Sequence, residues 1–353
     1  MFRSAALIIP FALIACGASN PPKTLPFRII EVAIFDEPWA MAFVPDGRAL
    51  ITEKSGRLKL WREGEQATKV GGVPPVVDDG QGGLGDVAIR PDFAHNHFVY
   101  LSWVEAGEGG KGAVVGRATL VEDAKGARLD GLQIIWRQNP KVSGSGHFGH
   151  RLAFGPDGML YISSGERQKF DPAQDMSVNL GKIVRLTDTG ANPSIWTSGH
   201  RNPLGLAFDA GGRLWEAEMG PRGGDEVNLI ERGGNYGWPK ASNGSHYDGR
   251  DIPDHKEGDG FIAPKVWWNP SISPSSLMIY SGKAFPAWQG DAFVGALSGQ
   301  ALIRVHLDGT NATKGDQWPM KNRIREVEQG PDGAIWLLED GKGGQLLKLT
   351  PNG

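Results

Sequence analysis

The sequence holds one cysteine in 353 residues. That excludes a disulfide framework, a cysteine zinc site, an iron–sulfur cluster and a covalently attached c-type haem. It is also short of net charge: 37 Lys and Arg stand against 40 Asp and Glu, a formal −3, and the basic residues form no run. Nucleic acid and a polybasic membrane contact are therefore not expected partners. Past the N-terminal segment no apolar stretch reaches the roughly 18 residues that a membrane span needs. Long segments with a helical 3.6-residue period are missing too, whereas strand-like alternation recurs. What the chain has in quantity is glycine, 51 residues, with 12 Trp and 14 Phe to bury. Glycine at about twice its usual share, without a collagen period, marks a globular, turn-rich fold.

The cysteine falls in an informative place. Met1-Phe2-Arg3 is a short positive start, and Ala5 to Ala15 is an apolar run too short to cross a bilayer. It ends Leu13-Ile14-Ala15-Cys16-Gly17, which looks like a bacterial lipobox. The expectation is a lipoprotein-type signal peptide over residues 1–15, a lipidated tether over 16–26 and a folded domain over 27–353. Two or more acyl chains on Cys16 would anchor stably where one would not. An ordinary signal peptide with an incidental cysteine is the alternative. Either way the protein is expected to be exported, periplasmic, and in contact with membrane only through Cys16.

A phrase repeats along the rest. It reads Met41-Ala-Phe-Val-Pro-Asp-Gly47, Val87-Ala-Ile-Arg-Pro-Asp-Phe93, Leu152-Ala-Phe-Gly-Pro-Asp-Gly158, Leu206-Ala-Phe-Asp-Ala-Gly-Gly212 and Val327-Glu-Gln-Gly-Pro-Asp-Gly333. Each copy is an apolar strand, a turn and a second strand; Pro presets φ in the turn and Gly accepts a positive φ. A diverged sixth unit fits Ser276 to Leu307. Six units at this spacing predict an all-β fold, a six-bladed β-propeller of four-stranded blades. Phe27 to Phe35 is expected to close the ring by pairing with the last blade.

Two strings match G-x-G-x-x-G, Gly80 to Gly85 and Gly107 to Gly112. At this glycine content about one match is expected by chance, and neither opens a helix after a strand, so a dinucleotide site is rejected. There is no G-x-S-x-G elbow and no H-E-x-x-H motif. Polar clusters instead flank the repeats: Gly146-His147-Phe-Gly-His-Arg151, Ser198-Gly-His-Arg-Asn-Pro203, Glu218-Met-Gly-Pro-Arg-Gly-Gly-Asp-Glu226 and Lys321-Asn-Arg-Ile-Arg-Glu326. In a propeller, equivalent loops converge on one mouth of the channel. Arg323 and Arg325, two apart on a strand, share a face and suit one polyanion.

Together with Gly82-Gly-Leu-Gly-Asp-Val-Ala-Ile-Arg-Pro-Asp-Phe93 and Gly234-Asn-Tyr-Gly-Trp-Pro239, these strings make the chain resemble the soluble quinoprotein sugar dehydrogenases, the glucose/sorbosone dehydrogenase-like family, over roughly residues 27 to 350. The aldose sugar dehydrogenase branch is the most similar. The resemblance implies a propeller that binds pyrroloquinoline quinone (PQQ) and Ca²⁺ and oxidises an aldose at C1 to the lactone. It implies His147 as general base, Glu166 as the acid that orients it, and Arg201 on the quinone oxygen. Gln81, Asn202, Arg323 and Arg325 match cofactor-holding positions. The carbonyls of Gly220 and Pro221 match the calcium site, and Glu226 and Tyr236 match a second, structural calcium.

Some positions depart from the pattern. Gly146 stands where one branch has Asp, and Met219 where His or Gln is usual beside the metal carbonyls. Ser298 aligns with a Lys that meets PQQ, a lost charge-assisted hydrogen bond worth about 1.5–3 kcal/mol. His150 is an uncommon neighbour for Arg151, with a structural role expected. Two alternatives follow: a propeller that keeps a ligand site without the cofactor, and a calcium-dependent hydrolase, which the basic character of the clusters disfavours. With no haem motif, electrons are expected to leave to a separate acceptor.

Overall fold

The computed structural model describes residues 24–352. The expected signal peptide and Cys16 lie outside the described residues. Within them, six four-stranded antiparallel sheets form the blades of a propeller. Their inner strands are Pro38–Phe43, Leu84–Ile89, Gly149–Phe154, Pro203–Phe208, Pro274–Ile279 and Ile324–Gln329, each packed against the next around a central channel. The described residues include no helix long and apolar enough to cross a membrane.

The repeated phrase is the physical unit of this ring. Its apolar half is the inner strand, and its Pro-Asp-Gly half is the hairpin to the second strand. Asp46, Asp157 and Asp332 each accept the backbone N–H two residues on, at 3.0, 3.1 and 3.0 Å. Gly47, Gly158 and Gly333 then take φ of 85°, 72° and 79°, where a side chain would be strained. The copy ending in Phe93 lacks that glycine, and a one-turn helix, Phe93–Asn96, takes the place of the tight turn. The diverged unit proves to be blade 5, with strands Pro274–Ile279, Ala292–Ala296 and Ala301–Asp308.

Ring closure follows the expected route. Phe27–Phe35 is the outer strand of blade 6 and runs antiparallel to Gly344–Pro351, Phe27 opposite Pro351 and Phe35 opposite Gly344. Phe27 is buried edge-on against Trp288 and Trp318 of blade 5, with centroids 6.2 and 5.4 Å away. Side chains of this size contribute roughly 1.5–3 kcal/mol each when fully buried. Phe43 and Trp61 of blade 1 meet Trp336 of blade 6 in the same manner, which welds the first blade to the last.

Every inner strand slips register at its start. The shifts fall between Pro38 and Ala40, Leu84 and Val87, Gly149 and Leu152, Pro203 and Gly205, Pro274 and Ser276, and Ile324 and Glu326. A bulge leaves a residue unpaired and re-aims its side chain. The bulged residues are Trp39, Gly85 with Asp86, His150 with Arg151, Leu204, Ser275 and Arg325. Together they ring the channel, and all but Gly85 and Ser275 line one of its two cavities. Above the ring, a cavity of about 450 Å³ is lined by Trp39, His150, Leu204 and Arg325. Below it, one of about 630 Å³ is lined by Asp86, Arg151, Glu326 and the hairpin prolines Pro45, Pro91 and Pro331. Arg151 plugs the passage between them. It donates to the carbonyls of Leu204 and Ser275 and pairs with Asp86 and Glu326 at 3.3 and 2.5 Å.

Candidate active site

The upper mouth gathers the loops that precede the inner strands. His147 lies just before the inner strand of blade 3 at φ 51°. Its backbone N–H donates to Gln81 Oε1 at 2.7 Å, so Gln81 fixes the loop with its amide oxygen. The His147 Nδ1 lies 2.5 Å from Glu166 Oε1. The second Glu166 oxygen accepts the backbone N–H groups of Lys169 and of Phe170, the latter at 2.6 Å. Burial pushes the Glu166 carboxyl up, but His147 and these donors outweigh it and leave its pKa below the usual range. Burial pulls His147 below its ordinary pKa, opposed by Glu166 and helped by Arg201 and Arg167. The imidazole is therefore neutral at pH 7, with its Nδ1 proton on the glutamate side and a free lone pair on Nε2.

Arg201 is 4 % exposed. Its backbone N–H and that of Asn202 donate to Glu218 Oε2 at 2.6 and 3.1 Å. The guanidinium donates to Met219 O and Tyr247 Oη at 2.9 and 3.1 Å, while its buried Nε has no partner among the described residues. His147, Glu166, Arg201 and Pro221 converge on a small cavity of about 130 Å³, walled by Phe170, Trp238 and Tyr247. Tyr247 also borders the larger cavity, so the two adjoin.

Gln81, Asn202, Arg323 and Arg325 all line that larger cavity. Asn202 Oδ1 accepts the Gly149 N–H at 3.3 Å. The two arginines share one carboxylate: Arg323 Nε reaches Asp340 Oδ2 at 2.8 Å, and Arg325 Nε and Nη2 reach Oδ1 at 2.8 and 2.6 Å. Asp340 thus aims both guanidinium groups and leaves a net positive charge. Gly220 and Pro221 sit in a turn held by Asp225, whose carboxylate accepts the N–H groups of Gly220, Ile272 and Ser273 at 2.8, 2.6 and 2.6 Å. A Cβ on Gly220 would strike the carbonyls of Gly223 and Gly224, so the turn requires glycine.

Glu226 and Tyr236 lie apart from both cavities. Glu226 is buried beside Asn228 and Glu216. Tyr236 stacks on His200 at 4.8 Å, and its hydroxyl donates to Leu229 O while accepting from Glu231 N. That phenol is thus already engaged. Beside it, His200, Glu216 and Glu218 bring their ligand atoms within 4.8 Å of one another. Glu216 Oε1 and Asn228 Oδ1 are buried without partners among the described residues. Burial, then repulsion by Glu218, pushes the carboxyls of Glu216 and Glu226 well up.

The family described as Glucose / Sorbosone dehydrogenase matches residues 35–348. The chain belongs to that family. It is 37 % identical over 373 residues to the aldose sugar dehydrogenase YliI of Escherichia coli, covering 99 % of this chain and all of that one. It is 29 % identical to quinoprotein glucose dehydrogenase B of Acinetobacter calcoaceticus, over 87 % of this chain and 84 % of the other. A solved structure of the PQQ-bound form of an aldose sugar dehydrogenase from Streptomyces coelicolor superposes with a TM-score of 0.76 at 27 % identity, covering 94 % of this chain and all of that one. This member of the sugar dehydrogenase family is an oxidoreductase acting on sugars.

Several groups that shape this candidate site were not marked by the sequence. Arg167 is fully buried; it donates to the carbonyls of Gly146, Gly144 and Lys111 and covers the Phe148 ring at 3.7 Å. It braces the loop that carries His147. Asp340 and Tyr247 were also unmarked, though a lone tyrosine in the loop Ser245-His-Tyr-Asp-Gly249 was a readable signal. Met219 contributes its main-chain oxygen to Arg201, and its sulfur sits 3.8 Å from Asn202 Nδ2. Ser298 spends its hydroxyl on Ser273 Oγ and Ser271 O. A Gln168 amide fills the space beside Gly146.

Proposed function

We propose that the protein is a PQQ- and calcium-dependent aldose sugar dehydrogenase that oxidises the C1 hydroxyl of an aldose to the lactone. The observation that carries this reading is the buried His147–Glu166 pair facing Arg201 across the small cavity, beside a basic cavity of cofactor size. Arg201, Arg323 and Arg325 suit a planar polyanion with carboxylates. The partnerless buried Nε of Arg201 is a donor in want of an acceptor. The Gly220 and Pro221 carbonyls are hard oxygen donors that suit calcium. When bound, PQQ would supply the hydride acceptor and calcium a Lewis acid beside it.

The chain's own residues do the rest. His147 Nε2 takes the C1 hydroxyl proton, and Glu166 holds the ring and stabilises the imidazolium that results. Arg201 presents a fixed positive charge to the oxygen that gains electrons, with Tyr247 and Met219 O fixing its angle. Phe170, Trp238 and Tyr247 give the small cavity its aromatic wall. For the second calcium, Glu216, Glu218 and Glu226 offer the oxygens, and a divalent cation there would relieve their mutual repulsion. We further infer export and lipidation at Cys16. The chain enters blade 6 at Phe27, at the end away from Arg323 and Asp340. Electrons would pass to a separate acceptor.

Reconstitution tests the reading. Apoprotein given PQQ and Ca²⁺ is expected to reduce a dye in the presence of aldoses. His147→Gln is expected to lower kcat about 100-fold or more while still binding PQQ. Full activity in His147→Gln would remove the proposed base. Calcium alone is expected to raise the melting temperature of the apoprotein, and Glu226→Gln to reduce that rise; equal rises in both proteins would discard the second calcium site.

A further inference from the structure

His150 is the one titratable bulged residue at the floor of the larger cavity that the mechanism leaves without a task. It is 2 % exposed and sits at φ 62°, a left-handed conformation that costs a non-glycine residue energy. Its ring lies parallel to Trp39 at 5.0 Å. Space for it is made across the bulge ring: a Cβ on Gly85 would fall on His150 Cε1, so Gly85 and His150 fit together.

The ring is also held in one tautomer. Ser102 Oγ accepts the Asp86 N–H at 2.8 Å and lies 2.7 Å from His150 Nδ1. The Ser102 hydroxyl has no other acceptor among the described residues, so its proton goes to Nδ1 and the imidazole carries its own on Nε2. That Nε2 has no partner among the described residues, is not among the atoms sealed from solvent, and belongs to a side chain that lines the cavity. Burial, with Arg151, Arg167 and Arg325 nearby, pulls the His150 pKa down to about 3. The donor is thus permanently neutral, unlike the arginines at the rim.

We propose that His150 is a positioning residue for the quinone cofactor, its Nε2–H donating to a cofactor oxygen from the cavity floor while Ser102 and Trp39 fix the ring. This rests on the reading of the cavity as the PQQ site. It also assigns a replacement donor in a chain whose Ser298 turns its hydroxyl to Ser273 and Ser271.

The test is PQQ binding to apoprotein in calcium, followed by titration and by the absorption spectrum of the bound quinone. His150→Phe keeps the stack on Trp39 and removes the donor. It is expected to weaken PQQ binding roughly five- to ten-fold, as for one lost hydrogen bond, and to shift the bound spectrum. His150→Gln restores a side-chain N–H and is expected to recover part of both. A His150→Phe protein that binds PQQ as tightly as wild type, with the same spectrum, overturns the proposal. Wild-type protein that binds no PQQ overturns instead the reading on which it rests. In wild type labelled with ¹⁵N-histidine, no variant is needed: His150 is expected to stay the neutral Nε2–H tautomer from about pH 5 to about pH 9, and PQQ to move its Nε2 resonance. An Nε2 that does not respond to bound PQQ sinks the assignment.

Discussion

His147 stands in a pull between burial, which strips its proton, and Glu166, which holds one on. Burial wins, so its pKa lies below the ordinary 6.5. A base works only when deprotonated, so the acidic limb of kcat/KM against pH should fall below 6.5. Glu166→Gln removes the group that opposes burial. It is expected to move the limb lower still and to cut kcat roughly 10- to 100-fold through lost orientation. A limb that moves to higher pH in this variant would contradict the pairing. At this scale much was legible, because His147, Arg201, Asn202 and Arg325 stand in strings dense with polar residues beside the repeats. What stayed hidden was the support. Asp340, Glu218 and Asp225 act by accepting backbone or guanidinium donors from other segments, and a carboxylate carries no mark of that duty in its own stretch of sequence.

Among elements, the inner strands and their hairpins were readable because each couples an alternating apolar run to turn residues that only one backbone shape favours. Ring closure was readable from Phe27 to Phe35 as a strand with no partner nearby in sequence. Phe27→Ala removes the side chain wedged between Trp288 and Trp318 and should destabilise the fold by about 3–5 kcal/mol. Urea denaturation checks this, and a loss under about 1 kcal/mol would mean the closing strand adds little. The six bulges were not readable. A bulge is a shift of one residue between paired strands, and each strand by itself shows the same alternation with or without it. Yet the bulges decide the site, since they turn Trp39, His150, Leu204 and Arg325 toward the upper cavity and Asp86 and Arg151 toward the lower one.

For the molecule as a whole, the channel gathers buried carboxyl groups below that ring. Asp86, Glu326 and Glu328 line the lower cavity together with Arg151 and Arg90. Burial pushes both glutamates up to about 8 from 4.5. Each binds its proton more tightly folded than unfolded. The stability this gives is complete below about pH 4.5 and is lost as pH rises through about 8. Wild type should therefore melt lower at about pH 9 than at about pH 6. Glu328→Gln should recover about 2–4 °C at about pH 9, a smaller part of that at about pH 6, and nothing below about pH 4.5; a further fall at about pH 9 would contradict the assignment. The glycine count, met first as a sign of turns, belongs here as well, since Gly220 and Gly85 leave room for a carbonyl pair and for His150. This propeller mouth is proposed as a quinone site built for sugar oxidation. Titration of calcium-loaded apoprotein with PQQ, followed by addition of an aldose, tests it. Saturable binding of one PQQ per chain and reduction of the bound quinone by the sugar are the expected results. A folded protein that binds no PQQ, or whose bound PQQ no aldose reduces, would contradict it.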